Sequence, residues 1–286
     1  MINRSILGVF VALASCAHRG PPPGPMTYTI GNPYQAGAEW YYPRSFDSYD
    51  ATGLSSVIGG DAPGYTVDHE AYDPDALTAQ SPVLQLPAIV TVTNLVNGYS
   101  VDVRVNDRGP VVPGRVIAVT PRVARLLHYP QGGIVEVEVK LNTAATAALD
   151  GALGAGPKLV AAPEAGISAQ SLAAPGGAAS GAVQNLTPTQ SDTGAANAAP
   201  LMGVITTLPP NPGPLYVRIP GFGAERDAFR AQERLYGIQA RVVPIFGGDR
   251  TLYAVNAGPY HTVADADAAL QRILALGVPD PEIIVR

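Results

Sequence analysis

Cysteine and lysine are almost absent from this chain of 286 residues, which has Cys16 as its one cysteine and only two lysines. A single cysteine cannot form an internal disulfide, so no disulfide framework holds the fold. The formal net charge of −5 provides no global positive field, and nucleic acid is therefore not expected as a partner. Four scattered histidines and one cysteine give no plausible set of metal ligands, so we expect neither a metal nor another cofactor.

Long hydrophobic runs are also lacking. The apolar stretch at 6–14 is too short to span a bilayer, and no later run is long enough for a transmembrane helix. A short positive start precedes this stretch, and Leu13-Ala14-Ser15-Cys16 resembles the bacterial lipobox. The resemblance implies a signal peptide at 1–15, lipidation of Cys16 and, because Ala17 follows, an outer-membrane anchor facing the periplasm. The alternative is an ordinary secretory signal with a stray cysteine.

Aromatic residues are missing from 143–212, a segment made mostly of Ala, Gly, Pro, Ser and Thr. Such a composition buries too little apolar surface to offset the entropy of ordering. The segment is therefore predicted to be a disordered linker, and nothing in it supports a helix at 146–153. The linker separates a Pro/Gly-rich tether at 16–26 and a first domain at 27–142 from a second domain at 213–286.

The first domain is rich in alternating apolar residues. Valines at alternate positions of 101–105 are separated by Asp102 and Arg104, which is typical of a half-buried strand. Many short strands with one small helix predict a compact β-barrel. Further strands are expected at 88–93, 115–119 and 135–140, with a two-residue hairpin signal at Asn97-Gly98 and a short helix that Thr120 caps and Pro121 begins.

Charge is concentrated in the run 104–110, Arg-Val-Asn-Asp-Arg-Gly-Pro, although only 14% of the chain is charged. The run places Asp107 near two guanidinium groups at the end of the alternating strand. An acid held at a strand end by neighbouring cations indicates chemistry at the rim of a small barrel. The alternative is that Asp107 only forms the turn, because Asn-Asp-x-Gly is favourable turn chemistry without catalysis.

The second domain contains an internal repeat of 38 residues, in which Val217 matches Val255. A doubled β-α-β unit of this size forms a four-stranded sheet with two helices on one face. Strand alternation directs Arg218 and Asn256 to the open face, where they either contact a ligand or are simply solvated. The expected strands lie at 215–219, 239–244 and 282–285 with one more around Val255, and the expected helices at 224–236 and 264–276.

Ordered motifs in both domains resemble the rare lipoprotein A (RlpA) family. The resemblance implies an all-β, six-stranded double-psi β-barrel, a linker, and an α+β SPOR domain with a four-stranded sheet and two helices. SPOR domains bind peptidoglycan glycan strands stripped of their peptides. The motifs are Tyr28 to Tyr34, Trp40-Tyr41-Tyr42-Pro43, Glu70-Ala71-Tyr72-Asp73, Leu86-Pro87, Val92-Thr93-Asn94-Leu95, the run at 104–110 and Gly258-Pro259-Tyr260.

The resemblance further implies an endolytic lytic transglycosylase that cuts between N-acetylmuramic acid and N-acetylglucosamine without water and leaves a 1,6-anhydro end. It implies Glu70 and Asp107 as the acidic pair, 37 residues apart. The reaction needs an acid at the leaving oxygen and a base at the attacking hydroxyl. Because Arg108 supplies a positive charge beside Asp107, we expect Asp107 to be the base or charge stabiliser and Glu70 the general acid. Arg108, Arg218 and Asn256 are the expected substrate contacts.

Several positions depart from the family pattern. They motivate a second hypothesis, a non-catalytic septal lipoprotein that binds peptidoglycan through a degenerate barrel, and a third, a purely structural envelope lipoprotein. All three place the protein at the outer membrane, and the first two add septal glycan and proteins of the division machinery as partners. The departures are Ser81 in place of His, Val57 and Ile58 in place of Trp and Tyr, Ala118 in place of Asp, and Asp68-His69 in place of Asn-Gly.

Overall fold

The computed structural model describes residues 24–36, 39–60, 64–155, 201–247 and 250–286. The predicted signal peptide, Cys16 and most of the predicted linker lie outside these residues. Within the described ranges, no helix has the length and apolar character needed to cross a bilayer. The first domain contains β1 (Tyr34–Ala36), β2 (Glu39–Tyr41), β3 (Asp50–Val57), β4 (Thr78–Gln80), β5 (Ala88–Asn94), β6 (Tyr99–Asp107), β7 (Arg115–Val119), α1 (Pro121–Leu126), β8 (Val135–Leu141) and α2 (Thr143–Ala152).

Six of these strands close into a barrel in the order β4-β7-β3-β8-β5-β6, and β4 pairs with β6 to complete the ring. The β3–β7 and β4–β6 pairs are parallel and the other pairs are antiparallel. The valines at 101, 103 and 105 are buried inside the ring, while Asp102 and Arg104 are half-buried. The predicted six-stranded double-psi barrel is confirmed.

The β5–β6 hairpin has a four-residue connection, 95–98, rather than the predicted two-residue turn. Asn94 explains the extra length, because its Oδ1 accepts from Val96 N–H and its Nδ2 donates to the carbonyl of Leu127. Leu95 is buried in an apolar cluster that the loop shares with the second domain. The longer loop therefore serves the contact between the two domains.

Helix α1 begins at Pro121 as predicted, but Thr120 does not cap it through its side chain. The Thr120 hydroxyl donates instead to the carbonyl of Ala76 at 2.7 Å. Thr120 is fully buried, so its hydroxyl satisfies a carbonyl in the core rather than a helix N–H.

Both described ends of the predicted linker adopt regular structure. The expectation that nothing supports a helix near 146–153 is wrong, since α2 begins after Asn142, whose side chain accepts from Ala145 N–H. Thr146 is buried and its hydroxyl bonds the backbone of Ile89, which anchors α2 to the barrel. At the other end, β9 (Thr206–Thr207) pairs with the start of β6. Disorder therefore stays a prediction only for 156–200, which are not described.

The second domain has the predicted four-stranded sheet and two helices, in the strand order β11-β12-β10-β13. Val217 and Val255, matched by the repeat, are fully buried beneath the helices. All three strand pairs are antiparallel. The elements are β10 (Leu215–Phe222), α3 (Glu225–Arg234), β11 (Ala240–Gly247), β12 (Arg250–Tyr260), α4 (Val263–Ala275) and β13 (Glu282–Val285).

The two domains pack against each other through β13 and the outer surface of β3. Thr52 donates its hydroxyl hydrogen to the carbonyl of Val285 at 2.7 Å. The Arg115 guanidinium forms two parallel hydrogen bonds with the Asp267 carboxylate, at 2.7 and 2.8 Å. Leu54 of the barrel is fully buried within the apolar cluster of the second domain. The two domains are thus in direct contact, whereas the sequence predicts that only a disordered linker connects them.

Candidate active site

The end of β6 presents polar side chains to a short loop at 66–70, the Glu70 loop. Arg104 Nη2 donates to both carboxylate oxygens of Glu70, at 2.7 and 2.6 Å, and Asn106 Nδ2 donates to Oε2 at 2.8 Å. Arg104 and Asn106 are two residues apart on an extended strand, so they share one face of β6. Their donors hold the Glu70 carboxylate at this face, with its side chain 21% exposed.

Hydrogen bonds within the Glu70 loop fix its shape. Thr66 donates its hydroxyl hydrogen to Asp68 Oδ1 at 2.6 Å, and the Thr66 hydroxyl oxygen accepts from Glu70 N–H at 3.1 Å. Asp68 N–H donates to the carbonyl of Asn106 at 3.3 Å, which ties the loop to β6. His69 has a positive φ of 73° and its Nδ1 pairs with the Thr27 hydroxyl. These hydrogen bonds within the loop therefore position Glu70 beside β6.

Asp107 ends β6 and is held by two donors. Its Oδ1 accepts from the Val67 backbone N–H at 3.0 Å, and its Oδ2 accepts from Gln80 Nε2 at 2.8 Å. The residue is only 4% exposed. Gln80 lies on β4, the strand that closes the barrel, so barrel closure itself brings this amide to Asp107. Sequence reasoning did not select Gln80, because the partnership depends on the β4–β6 pairing.

Glu70 and Asp107 are both anchored at the same end of β6, and their pairing as one acidic couple stays a prediction. Glu70 bonds the side chain of Asn106, the residue next to Asp107, and Val67 of the Glu70 loop bonds Asp107. Successive residues of a strand point to opposite faces, so the two carboxylates reach the strand end from its two sides. Glu70 is the more accessible acid, while Asp107 is anchored by a backbone donor.

Arg108 has a structural environment different from the predicted one. Its guanidinium donates to the carbonyls of Ile30, Ser81 and Leu84, which ties its own loop to the segment at Ile30 and to the β4–β5 loop. No described contact directs it to the Asp107 carboxylate. Burial lowers the pKa of Arg108, and the charges of Tyr34 and Asp107 oppose that change. The guanidinium donors of Arg108 are already used by backbone oxygens. A contact between Arg108 and the substrate stays a prediction.

Asp68 is a buried acid that the sequence identified only as a departure from the family pattern. It is fully buried, and its Oδ2 has no hydrogen-bond partner among the described residues. Burial raises the pKa of Asp68 to about 7, the Thr66 hydrogen bond opposes that rise, and the Glu70 charge adds to it. The sequence did contain a signal for this buried acid, because Asp68 occupies a position where the family resemblance has Asn. At neutral pH, Asp68 is close to the midpoint between its neutral and charged forms.

Three of the positions that depart from the family pattern, Ile58, Ser81 and Ala118, are buried. The Ser81 hydroxyl accepts from the N–H groups of Val83 and Leu84, so it stabilises a turn. Ile58 and Ala118 are buried, and no described side chain there replaces the lost aromatic or acidic group. Among the described residues, no cluster of three or more His, Cys, Asp or Glu side chains could hold a metal ion.

The open face of the second domain carries the two residues predicted to lie there. Arg218 on β10 is paired in register with Asn256 on β12, and its Nε donates to Asn256 Oδ1 at 3.3 Å. Arg241 on β11 is the register partner on the other side of Asn256. Asn256 itself is buried between these two strands, and its Nδ2 has no partner among the described residues. The two side chains lie on the face away from the helices as predicted, but Asn256 is buried there rather than open to solvent, and contact with a glycan stays a prediction.

Comparisons with known proteins agree with both domains. Residues 37–139 match the family described as lytic transglycolase, and residues 211–284 match the SPOR domain. The endolytic peptidoglycan transglycosylase RlpA of Rickettsia felis is 35% identical over 117 residues, covering 40% of this chain and 51% of that relative. The proteins of that name from Yersinia pestis and Pseudomonas aeruginosa are each 41% identical, over 29% and 33% of their length. The chain thus spans about half or less of these relatives.

The fold and the rim residues define a two-domain protein that joins a lytic transglycolase barrel to a SPOR domain. The order of the two domains and the similarity to several curated relatives then identify the family: the chain belongs to the RlpA family.

Proposed function

We propose that this protein is an endolytic peptidoglycan transglycosylase that cleaves peptide-stripped glycan strands and leaves 1,6-anhydro-muramoyl ends. The anchoring of both Glu70 and Asp107 at the end of β6 carries this proposal, because the barrel around them matches the lytic transglycolase family. Similar proteins from three bacteria bear the name of this activity.

The reaction assigns different tasks to the two acids. Glu70 donates a proton to the oxygen between the sugars as its bond to C1 breaks, and Asp107 accepts the proton of the 6-hydroxyl as that oxygen bonds to C1. One proton is donated and one is accepted, so the step needs no water. The side-chain donors on Glu70 can rearrange when the glycan binds, whereas the backbone donor on Asp107 keeps the base in place.

The SPOR domain supplies a second contact with the same polymer. In this proposal Arg218 and Asn256 bind the glycan at the open face, as the polar pair on that face supports.

We further propose lipidation of Cys16, an outer-membrane anchor facing the periplasm, enrichment at the septum and partners in the division machinery. Palmitate labelling of the wild type and of Cys16→Ser, followed by membrane fractionation, tests the anchor.

A non-catalytic scaffold is the second candidate function. The small or apolar residues at Ile58, Ser81 and Ala118 favour it, as does the burial of Asp107. A scaffold would bind peptidoglycan through the SPOR domain and leave the glycan strand intact.

The test incubates the purified full-length protein with peptide-stripped sacculi and identifies the soluble products by mass spectrometry. We expect anhydro-terminated fragments from the wild type and none from Glu70→Gln or Asp107→Asn. Glu233→Gln and Asp75→Asn, at exposed acids outside the Glu70 loop and β6, serve as matched controls and should retain the wild-type products. Sacculus binding without products from the wild type would reject the enzyme and support the scaffold.

A further inference from the structure

A cleft of about 480 Å³ lies between the barrel and the SPOR domain, on the side where the two domains dock. Trp40, Tyr42 and Tyr49 line it from the first domain, and Asp280 and Glu282 line it from the SPOR domain. Its volume is within the range of about 300–1,000 Å³ that is usual for ligand sites. Neither Glu70 nor Asp107 lines it, so the cleft is distinct from the barrel rim.

Two aromatic side chains in the cleft are unusually exposed. Trp40 is 49% exposed and Tyr42 is 57% exposed, although large aromatic groups usually serve in packing. Trp40 belongs to β2 and Tyr42 follows that strand directly. Partly exposed rings at the wall of a concave site offer flat apolar surfaces, with a polar atom on each ring for hydrogen bonding.

One polar group in the cleft is buried without a partner. Glu39 is 6% exposed, and its Oε1 has no hydrogen-bond partner among the described residues. Its Oε2 accepts from the Tyr41 hydroxyl at 2.5 Å. Burial raises the pKa of Glu39, the Tyr41 hydrogen bond opposes that rise, and the charge of Asp280 from the other domain adds to it. A buried acceptor left open at a ligand-sized cleft indicates a hydrogen-bond donor that arrives with a ligand.

The cleft also leads toward the barrel rim. Tyr41 stacks on Tyr34 with ring centroids 5.4 Å apart. The Tyr34 hydroxyl donates to the carbonyl of Pro82, a residue that lines the cleft. Tyr34 in turn lies close enough to Arg108 and Asp107 for their charges to act on its hydroxyl. At the far end, Glu282 approaches Arg218 of the open SPOR face to 3.9 Å.

We propose that this interdomain cleft is a saccharide subsite that binds an uncharged N-acetylhexosamine unit of the strand between the SPOR face and the barrel rim. The exposed rings would stack on the sugar, and the carboxylates would accept from its hydroxyl and amide groups. Three carboxylates and two guanidinium groups line the cleft, but Arg115 is already paired with Asp267 and Arg44 lies over the Phe46 ring. The remaining negative charge disfavours an anionic sugar, so any lactyl carboxylate must point out of the cleft. This inference rests on the proposed function for its choice of polymer.

The chain contains one tryptophan, so the fluorescence of Trp40 reports on the cleft alone. The full-length protein is titrated with chitotetraose, an uncharged oligomer of N-acetylglucosamine, and separately with tetragalacturonate, an anionic oligomer of equal length. We expect a saturable emission change with chitotetraose and none with tetragalacturonate. Tyr42→Ala should weaken chitotetraose binding by roughly 2- to 10-fold, as the loss of one stacking ring implies.

Tyr236→Ala is the matched control, because Tyr236 is an almost fully exposed tyrosine outside the cleft. Glu39→Gln should weaken binding while leaving the melting temperature within a few degrees of the wild type. A wild-type protein that cleaves sacculi without any response of Trp40 to chitotetraose would overturn the cleft proposal and leave the enzyme standing. Equal responses to both oligomers would also overturn it. Saturable binding without cleavage would keep the subsite and reject the enzyme.

Discussion

Gln80 donates its Nε2–H to Asp107 Oδ2 at 2.8 Å across the β4–β6 junction that closes the barrel. The two residues are 27 positions apart, and only ring closure brings them together. Gly109 makes room for this bond, since a Cβ at that position would lie 2.7 Å from Gln80 Oε1. The amide is therefore a positioning group for the proposed base.

Gln80→Leu is expected to lower kcat/KM for glycan cleavage by about 10-fold or more. It removes one hydrogen bond to a charged group, which is worth about 1.5–3 kcal/mol. Because Gln80 acts through Asp107, the pH dependence of kcat/KM should also move, and a purely structural role would leave it in place. Binding to sacculi through the SPOR domain should be unchanged, and an unaltered pH profile would argue against this role.

Gly109→Ala is expected to abolish most of the activity. The new Cβ would displace the Gln80 amide, and the backbone φ of +141° is unfavourable for a side chain. Gly132→Ala is the control, because Gly132 also has a positive φ, +97°, but nothing lies within 4 Å of a Cβ there. Both variants should lose about 1 kcal/mol of unfolding free energy, and only the first should lose activity. Equal activities would contradict the model of Gln80 as a positioning group.

Asp68 should make the fold less stable as the pH rises from about 4 to about 7. Burial raises its pKa from 3.8 to about 7, so in this window the folded state holds a proton that the unfolded state has lost. The free energy of unfolding then falls by up to about 4 kcal/mol over the window and is flat above it. Urea unfolding across this pH range checks the slope, and Asp68→Asn should remove it. A slope of the same size in the variant would assign the effect to other groups.

Asp267→Asn should loosen the docking of the SPOR domain. The Arg115 side chain is 4% exposed, and its Nε already has no partner among the described residues, so loss of the carboxylate leaves a buried charge poorly compensated. We expect a loss of about 1–3 kcal/mol in unfolding free energy and a larger radius of gyration by X-ray scattering. Asp227→Asn, which removes an exposed pair with Arg230, should change neither quantity. A variant as compact and stable as the wild type would show that this ion pair does not hold the domains.

The sequence by itself determined the barrel, the SPOR sheet and the face on which Arg218 lies. Alternating apolar residues and the internal repeat predict these features. Both patterns can be recognised in the sequence without knowing which distant residues come into contact. The valines of β6 and the matched Val217 and Val255 are buried as their spacing predicted.

The tertiary structure alone decided how the acids are held and how the domains meet. The contacts of Asp107 with Gln80, of Arg108 with three carbonyls and of Arg115 with Asp267 join residues from 24 to 152 positions apart. The partners of these side chains depend on how the barrel closes and how the two domains dock. Neither event produces a periodic pattern in the sequence. The open acceptor of Glu39 has the same origin, because a buried group without a partner can be recognised only when all its neighbours are in place.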